Sequence, residues 1–110
     1  MQQAKLSDLE IFKKEVLESD IPVVVDFWAD WCHPCKALSR VLEEFSAEYQ
    51  GILKIYKINT EENPELSEMY KIKGIPTLLF FKNGNLVGNF VGFAPKHHLK
   101  RVIDDFINNK

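Results

Sequence analysis

The 110-residue chain has no long apolar run, no excess of basic residues and only two cysteines. No stretch approaches the ~20 apolar residues that a membrane-spanning helix needs, so we expect no membrane partner. Lysine and arginine total 14 against 16 acidic residues, and the charges are interspersed along the chain without forming a basic stripe. This balance argues against nucleic acid as a partner.

The first ten residues are polar and charged, and they contain no apolar segment of the kind that directs export. We therefore expect a cytoplasmic protein, while an extracytoplasmic location stays open because a processed chain would also lack such a signal. With 45% hydrophobic residues, a chain of this length suits a single domain over residues 1–110.

Apolar periodicity predicts helices on both faces of a mixed sheet, an α/β architecture. The order strand, helix, strand predicts two parallel central strands, and Asn83-Gly84 between two apolar runs predicts an antiparallel hairpin. Gly88 in the second run predicts a bulge or a close backbone approach. The predicted elements are a helix from Ser7 to about Ser19 with a short strand as an option before it, strand Val23–Trp28, a helix from Pro34 to Gly51, strand Ile52–Ile58, a short helix capped by Asn63 and closed by Gly74, strands Thr77–Phe81 and Leu86–Val91, and a helix opened by Pro95.

Both cysteines lie in Cys32-His33-Pro34-Cys35, directly before the second predicted helix. Unpaired N–H groups and the macrodipole at a helix N-terminus favour a thiolate there, which is the chemistry of a dithiol that cycles between reduced and oxidised forms. Asp26 interrupts the apolar strand just upstream, so we expect a carboxylate that is partly removed from water. Lys57 falls near the carboxyl end of the next strand, at the same edge of the sheet.

A set of motifs in order along nearly the whole chain resembles the thioredoxin family. The resemblance implies the thioredoxin fold, with a central mixed sheet of four to five strands and about four flanking helices. It also implies a protein dithiol-disulfide oxidoreductase. The motifs are Asp26, Trp28-Ala29, Trp31-Cys32, Pro34-Cys35-Lys36, Lys57 with Asn59, Gly74-Ile75-Pro76-Thr77, Lys82-Asn83-Gly84 and Val91-Gly92.

The resemblance assigns four catalytic residues. Cys32 would be the exposed nucleophile that attacks a substrate disulfide, and Cys35 the buried thiol that resolves the mixed disulfide. Asp26 would move protons to and from Cys35, and the charge of Lys57 would modulate the proton affinity of Asp26. Residues implied to bind substrate, with Pro76 in the cis form, are Trp31, His33, Pro34, Ile75, Pro76, Val91 and Gly92.

The resemblance also implies partners and cofactors. Substrates would be protein disulfides, a thioredoxin reductase that carries flavin would restore the dithiol, and the protein would be a monomer. We expect no bound cofactor and no metal, so the redox group would be the Cys32–Cys35 disulfide itself.

Three residues depart from the usual family pattern. His33 replaces the usual glycine between the first cysteine and the proline, and an imidazole able to carry positive charge there favours a more oxidising dithiol. Arg40 stands where many members have a proline in the second helix, which removes the usual cause of a kink. Phe93 follows Gly92 where a smaller residue is common, so partner preference is open.

Several alternatives accompany these assignments. The cysteine pair could form a structural disulfide or contribute to a metal site, although no second cysteine pair is present to complete four ligands. The fold could serve as a binding module in which redox turnover is incidental, and His33 keeps a thiol oxidase or isomerase role open. Residues with a plain structural interpretation are Asp26 as a core carboxylate, Lys57 as a solvated strand residue, Met69 as core packing, and His97 and His98 as solvated.

Overall fold

The computed structural model describes residues 7–109 and contains four α-helices and four strands within them. The optional short strand before the first helix falls outside this range. The elements are α1 (Asp8–Phe12) with a π-helical continuation (Lys13–Leu17), β1 (Val23–Trp28), α2 (His33–Glu48), β2 (Lys54–Asn59), α3 (Pro64–Met69), β3 (Thr77–Lys82), β4 (Asn85–Val91) and α4 (Lys96–Asn108).

The strands form one mixed sheet in the order β2-β1-β3-β4, with β1 parallel to β2 and the other neighbours antiparallel. Helices pack on both faces, so the predicted α/β thioredoxin fold is confirmed. None of the helices within residues 7–109 has the length and apolar composition that crossing a membrane requires.

The prediction that Ile52–Ile58 forms a central strand is wrong in position. β2 begins at Lys54 and lies at one edge of the sheet formed by the described residues. Its apolar side chains are nevertheless partly covered on both faces, because half-buried Ile55 packs with the α2 and α4 side and half-buried Tyr56 with the α1 side. A covered edge strand therefore needs the same apolar residues as a central one, and composition alone cannot distinguish them.

The hydrophobic core has two parts, one on each face of β1. Val24 belongs to the part formed with α2 and α4, whereas Val23, Val25 and Phe27 belong to the part formed with α1 and α3. This alternation confirms the predicted strand faces. It places Asp26, which shares the face of Val24, toward α2.

The α1 helix begins with the predicted capping box. The Glu10 N–H donates to Ser7 Oγ at 3.1 Å, and the Ser7 N–H donates to Glu10 Oε1 at 3.0 Å. The helix then widens, since the Glu18 N–H reaches back five residues to the Lys13 carbonyl at 2.9 Å.

The predicted hairpin is confirmed as a two-residue turn, with Asn83 at φ 53° and Gly84 at φ 80°. A bulge follows, because Phe80 pairs with Gly88 and Phe81 with Leu86, which leaves Val87 unpaired on β4. Gly88 also lies close to Phe80, since an added Cβ would come within 3.3 Å of Phe80 Cδ2.

Local details differ from prediction at three residues. Pro34 is the second residue of α2, which begins one residue earlier at His33. The Asn63 side chain does not cap α3, because it donates instead to the carbonyl of Asn59, and α3 ends at Met69, before Gly74. Met69 itself is 55% exposed and is no part of the core, since the buried side of this short helix is formed by Leu66.

Candidate active site

The two cysteines lie where β1 leads into α2. Cys32 is the N-cap residue of α2, with extended backbone angles of φ -90° and ψ 104°. Its sulfur is bonded to the sulfur of Cys35 and also accepts a hydrogen bond from the Cys35 N–H at 3.2 Å. The Cys35 N–H, which has no carbonyl partner within the helix, therefore donates to the sulfur that we expect to be the thiolate when the disulfide is reduced.

Cys32 is only 4% exposed and Cys35 only 2%, so the expectation of an exposed Cys32 is wrong for the disulfide form. Its sulfur is turned inward, because it is bonded to Cys35 within the first turn of α2. Outside it, Trp31 is 65% exposed, and His33 and Pro34 are exposed as well. These three exposed side chains therefore lie next to a disulfide that is itself buried.

Asp26 is the buried carboxylate behind the disulfide. It is 1% exposed, and within residues 7–109 neither of its oxygens has a hydrogen-bond partner. Burial raises the pKa of Asp26 from 3.8 to about 6, while the positive charge of Lys57 acts in the opposite direction. A carboxyl group with this pKa exchanges protons near neutral pH.

Lys57 is the residue of β2 directly beside Asp26, and it lies two residues before the strand ends at Asn59. Its ammonium donates to Ser39 Oγ and lies 3.8 Å from Glu43 Oε1, both on α2. Ser39 and Glu43 were not predicted, yet their spacing provides a signal. They follow Cys35 at intervals of four residues, so all three lie along one side of α2.

A cavity of about 180 Å³ lies between β1, β2 and α2. It brings a sulfur-bearing residue, a hydroxyl and two amines to one small space, and one of the amines belongs to Lys57, the β2 neighbour of Asp26. The lining residues are Trp28, Cys35, Lys36, Ser39 and Lys57.

The Ile75–Pro76 peptide bond is cis, as the family resemblance implied. The Gly92 N–H donates to the Pro76 carbonyl at 2.8 Å, which holds the end of β4 against the start of β3. Thr77 pairs with Phe27 of β1 on one side and with Val91 on the other. Pro76, Val91 and Gly92 therefore lie at the edge of the sheet from which β1 leads to Cys32.

A second cavity, of about 250 Å³, joins Trp31 to Ile75 and so brings together two residues predicted to bind substrate. Sequence reasoning missed its other polar members. Thr60 directly follows β2 at the edge where ligands gather, which is a usable signal, whereas Ser67 and Lys73 have none. The full lining is Trp31, Thr60, Ser67, Ile72, Lys73, Gly74 and Ile75.

Arg40 and Phe93, two of the departures from the family pattern, lie in different parts of the fold. The α2 helix continues through Arg40 from His33 to Glu48. Phe93 is 47% exposed beside Gly92, and with exposed Val91 it enlarges the apolar surface at this edge. His97 and His98, at the start of α4, are exposed as predicted.

Within residues 7–109, no group of three or more histidine, cysteine or acidic side chains is arranged to hold a metal ion. The redox group is the Cys32–Cys35 disulfide. A disulfide at a helix N-terminus, a buried carboxyl group behind it and a cis-proline at the same sheet edge define a dithiol-disulfide oxidoreductase on an α/β fold.

Comparison with known proteins gives the family. The Thioredoxin family model matches residues 3–105. Thioredoxin 1 of Nostoc sp. is 47% identical over 93 residues, which are 84% of this chain and 87% of that protein. Thioredoxin of Rickettsia conorii is 51% identical over 88 residues, 80% of this chain and 84% of that protein. The chain belongs to the thioredoxin family and is a protein-disulfide reductase of that family.

A plant relative shows the same similarity over a longer protein. Thioredoxin M-type, chloroplastic, of Spinacia oleracea is 45% identical over 97 residues, which are 88% of this chain. The match covers 54% of the plant protein, so the chain spans about half the length of that relative.

Proposed function

We propose that Cys32 is the attacking sulfur and Cys35 the resolving sulfur in the reduction of protein disulfides. The Cys32 thiolate attacks one substrate sulfur, a Cys32–substrate disulfide forms, and the other substrate sulfur leaves as a thiolate that takes up a proton. The Cys35 thiolate then attacks Cys32 Sγ, which restores the Cys32–Cys35 disulfide and releases the second substrate thiol. Two electrons pass from the protein to the substrate.

The observation that carries this assignment is the hydrogen bond from the Cys35 N–H to Cys32 Sγ. The N-cap position gives Cys32 the donors and the helix dipole that stabilise a thiolate. Burial does not separate the two cysteines, which are 4% and 2% exposed, but the Cys35 N–H is directed at the Cys32 sulfur. Attack by Cys32 and resolution by Cys35 is the order that this asymmetry supports.

We infer that Asp26 takes the proton from Cys35 in the second step and that Lys57 tunes its proton affinity. The pKa of about 6, set by burial, leaves the carboxylate able to accept a proton near neutral pH. Asp26 shares the face of β1 that is turned toward α2, and its β2 neighbour Lys57 lines a cavity together with Cys35. The transfer would pass through water in that cavity.

The exposed side chains around the disulfide are proposed to receive the substrate polypeptide. Trp31 and Ile75 share one cavity, and Val91 with Gly92 lies beside Pro76. A reductase needs its own dithiol restored after each turnover, so we propose a flavoprotein thioredoxin reductase as the electron source. This requirement also favours a compartment that supplies reductant, such as the cytoplasm.

The reductase function is tested by the reduction of insulin with dithiothreitol as electron source. We expect turnover by the native protein, no turnover by C32S, and a stable covalent substrate adduct with C35S. Failure of the native protein to accelerate insulin reduction would leave a binding module as the explanation of the fold. An adduct formed by C32S but not by C35S would reverse the roles of the two cysteines.

A second candidate function, thiol oxidation or isomerisation, is favoured by His33. This residue is the first of α2 and lies exposed beside Cys32, where a positively charged imidazole would stabilise the Cys32 thiolate. Stabilising the reduced form makes the couple more oxidising.

We therefore expect H33G to have a lower reduction potential than the native protein when both are equilibrated with glutathione buffers. H33Q, which keeps a polar side chain without a charge, is the matched control and should resemble H33G. A native potential equal to or below that of H33G would remove the basis for the oxidase alternative.

A further inference from the structure

Two residues of α2, Ser39 and Glu43, interact with the Lys57 ammonium. Ser39 is half-buried, lines the cavity with Cys35 and accepts a hydrogen bond from Lys57. Glu43 lies one turn further along α2, with a side chain that is 71% exposed and an oxygen 3.8 Å from the Lys57 ammonium. Ser39 therefore holds the ammonium at the cavity, and Glu43 attracts it toward solvent.

The position of this ammonium matters because Asp26 has no hydrogen-bond partner among the described residues, and the charge of Lys57 lowers its pKa against the effect of burial. The charged neighbour of Asp26 in the sheet is Lys57 on β2. Cys35 and Lys36 of α2 line the cavity together with Lys57, and Glu43 approaches the Lys57 ammonium from outside that cavity. The β3 neighbour, Leu78, carries no charge. Lysine has a long flexible side chain, so its hydrogen-bond partners decide where its charge acts.

We propose that Ser39 is a positioning residue for the resolving step. Its hydroxyl anchors the Lys57 ammonium in the cavity beside Cys35, while Glu43 competes for the same ammonium from the solvent side. The positive charge held there favours the ionised forms of both Asp26 and Cys35. This assignment rests on the proposed role of Asp26 as the proton acceptor for Cys35.

The test is a carboxyl NMR titration of Asp26 in the disulfide form of S39A and E43Q. Loss of the inner anchor lets the ammonium move outward, so the Asp26 midpoint should rise in S39A by about half a pH unit. Loss of the outer competitor should lower the midpoint in E43Q by a similar amount. S39T retains a hydroxyl and should restore the native midpoint, and S39A in a K57Q background should produce no shift.

The kinetic counterpart is the rate at which the Cys32–substrate disulfide is resolved, followed over a range of pH. S39A should shift this pH profile upward by about half a pH unit and slow resolution about threefold near pH 5, where Asp26 is mostly protonated. The change near neutral pH should be small, and the first attack by Cys32 should keep its rate. Equal slowing of both steps would mark Ser39 as a merely structural residue.

Two NMR results would overturn the anchoring: an unchanged midpoint in S39A, or an S39A shift that persists in the K57Q background. The role of Asp26 is tested separately by D26N. If D26N slows attack and resolution equally, the proposed proton transfer fails, whereas an S39A midpoint shift that is absent in the K57Q background would still establish that Ser39 positions Lys57.

Discussion

At the scale of single residues, the burial of Asp26 lowers the stability of the fold near neutral pH and raises the pKa of the carboxyl group into a range useful for proton transfer. The carboxyl group lies among apolar neighbours at 1% exposure, and burial raises its pKa to about 6. The folded protein therefore holds this proton more tightly than the unfolded chain does. Stability is highest where Asp26 is protonated in both states, and it falls as the pH rises from the ordinary pKa of 3.8 through about 6.

The D26N variant should remove this loss of stability. A rise in pKa from 3.8 to about 6 corresponds to about 3 kcal/mol. We expect D26N to be more stable than the native protein by up to about 3 kcal/mol at about pH 8, with most of the difference gone at about pH 4. Urea unfolding of both proteins at the two pH values measures it, and parallel pH dependences would contradict the assigned pKa.

Some residues of the site were accessible to sequence reasoning and others were not. The burial of Asp26 followed from strand alternation, because β1 is covered on both faces. The burial of Cys32 did not, since the inward turn of its sulfur depends on the disulfide and the helix cap together. The cis form of Pro76 came only from the family resemblance, because X-Pro bonds are mostly trans.

At the scale of elements, the β3–β4 hairpin is tied to the opposite end of the chain. Gly84 has φ 80°, and a Cβ added there would lie 2.7 Å from the carbonyl oxygen of Leu17, at the end of the π-helical segment. The turn therefore packs directly against backbone. Gly51, after α2, has φ 81° and nothing within 4 Å of an added Cβ, so it shares the backbone conformation without the contact.

These two glycines make a matched pair of variants. G51A should lose about 1 kcal/mol of unfolding free energy, because an L-residue is strained at this φ. G84A should lose about 2 kcal/mol more, because backbone atoms must also separate. Urea denaturation of both variants measures the difference, and equal losses would show that the hairpin turn is free to move away from Leu17.

Helices and turns that are encoded by neighbouring residues were predicted correctly. Errors arose where the position of an element in the sheet depends on contacts with distant parts of the chain. The α4 stripe of Leu99, Ile103 and Phe106 is buried as its helical spacing predicts. The hairpin followed from Asn83-Gly84, whose turn type is encoded by two residues. The edge position of β2 was missed because Ile55 and Tyr56 pack against the core on opposite faces of the strand, as residues of a central strand do. Lys13–Leu17 carries no sequence feature that separates a π-helix from an α-helix.

At the scale of the whole molecule, the disulfide joins two positions three residues apart and closes a very short loop. The chain-entropy model assigns such a loop a stabilisation of about 2 kcal/mol. Because the same bond is the redox group, folding stability and the redox state are linked. The disulfide form should unfold at higher denaturant concentration than the dithiol form.

We expect dithiothreitol to lower the unfolding free energy of the native protein by about 2 kcal/mol. The C32S/C35S variant is the control. Serine is a good N-cap residue, so α2 should keep its start, and the variant should be indifferent to reductant. Equal stability of the native protein with and without dithiothreitol would mean that interactions of the dithiol form compensate for the lost loop closure.

The bulge in β4 also bears on how copies of the molecule meet in a concentrated solution. Within the described residues β4 has one unpaired edge, and exposed Leu86 and Val87 would make that edge attractive to another strand. The unpaired Val87 breaks the regular spacing of hydrogen-bonding groups there. A strand of a neighbouring chain could pair only with the short segments of β4 on either side of Val87. This interruption protects the sheet against growth into aggregates.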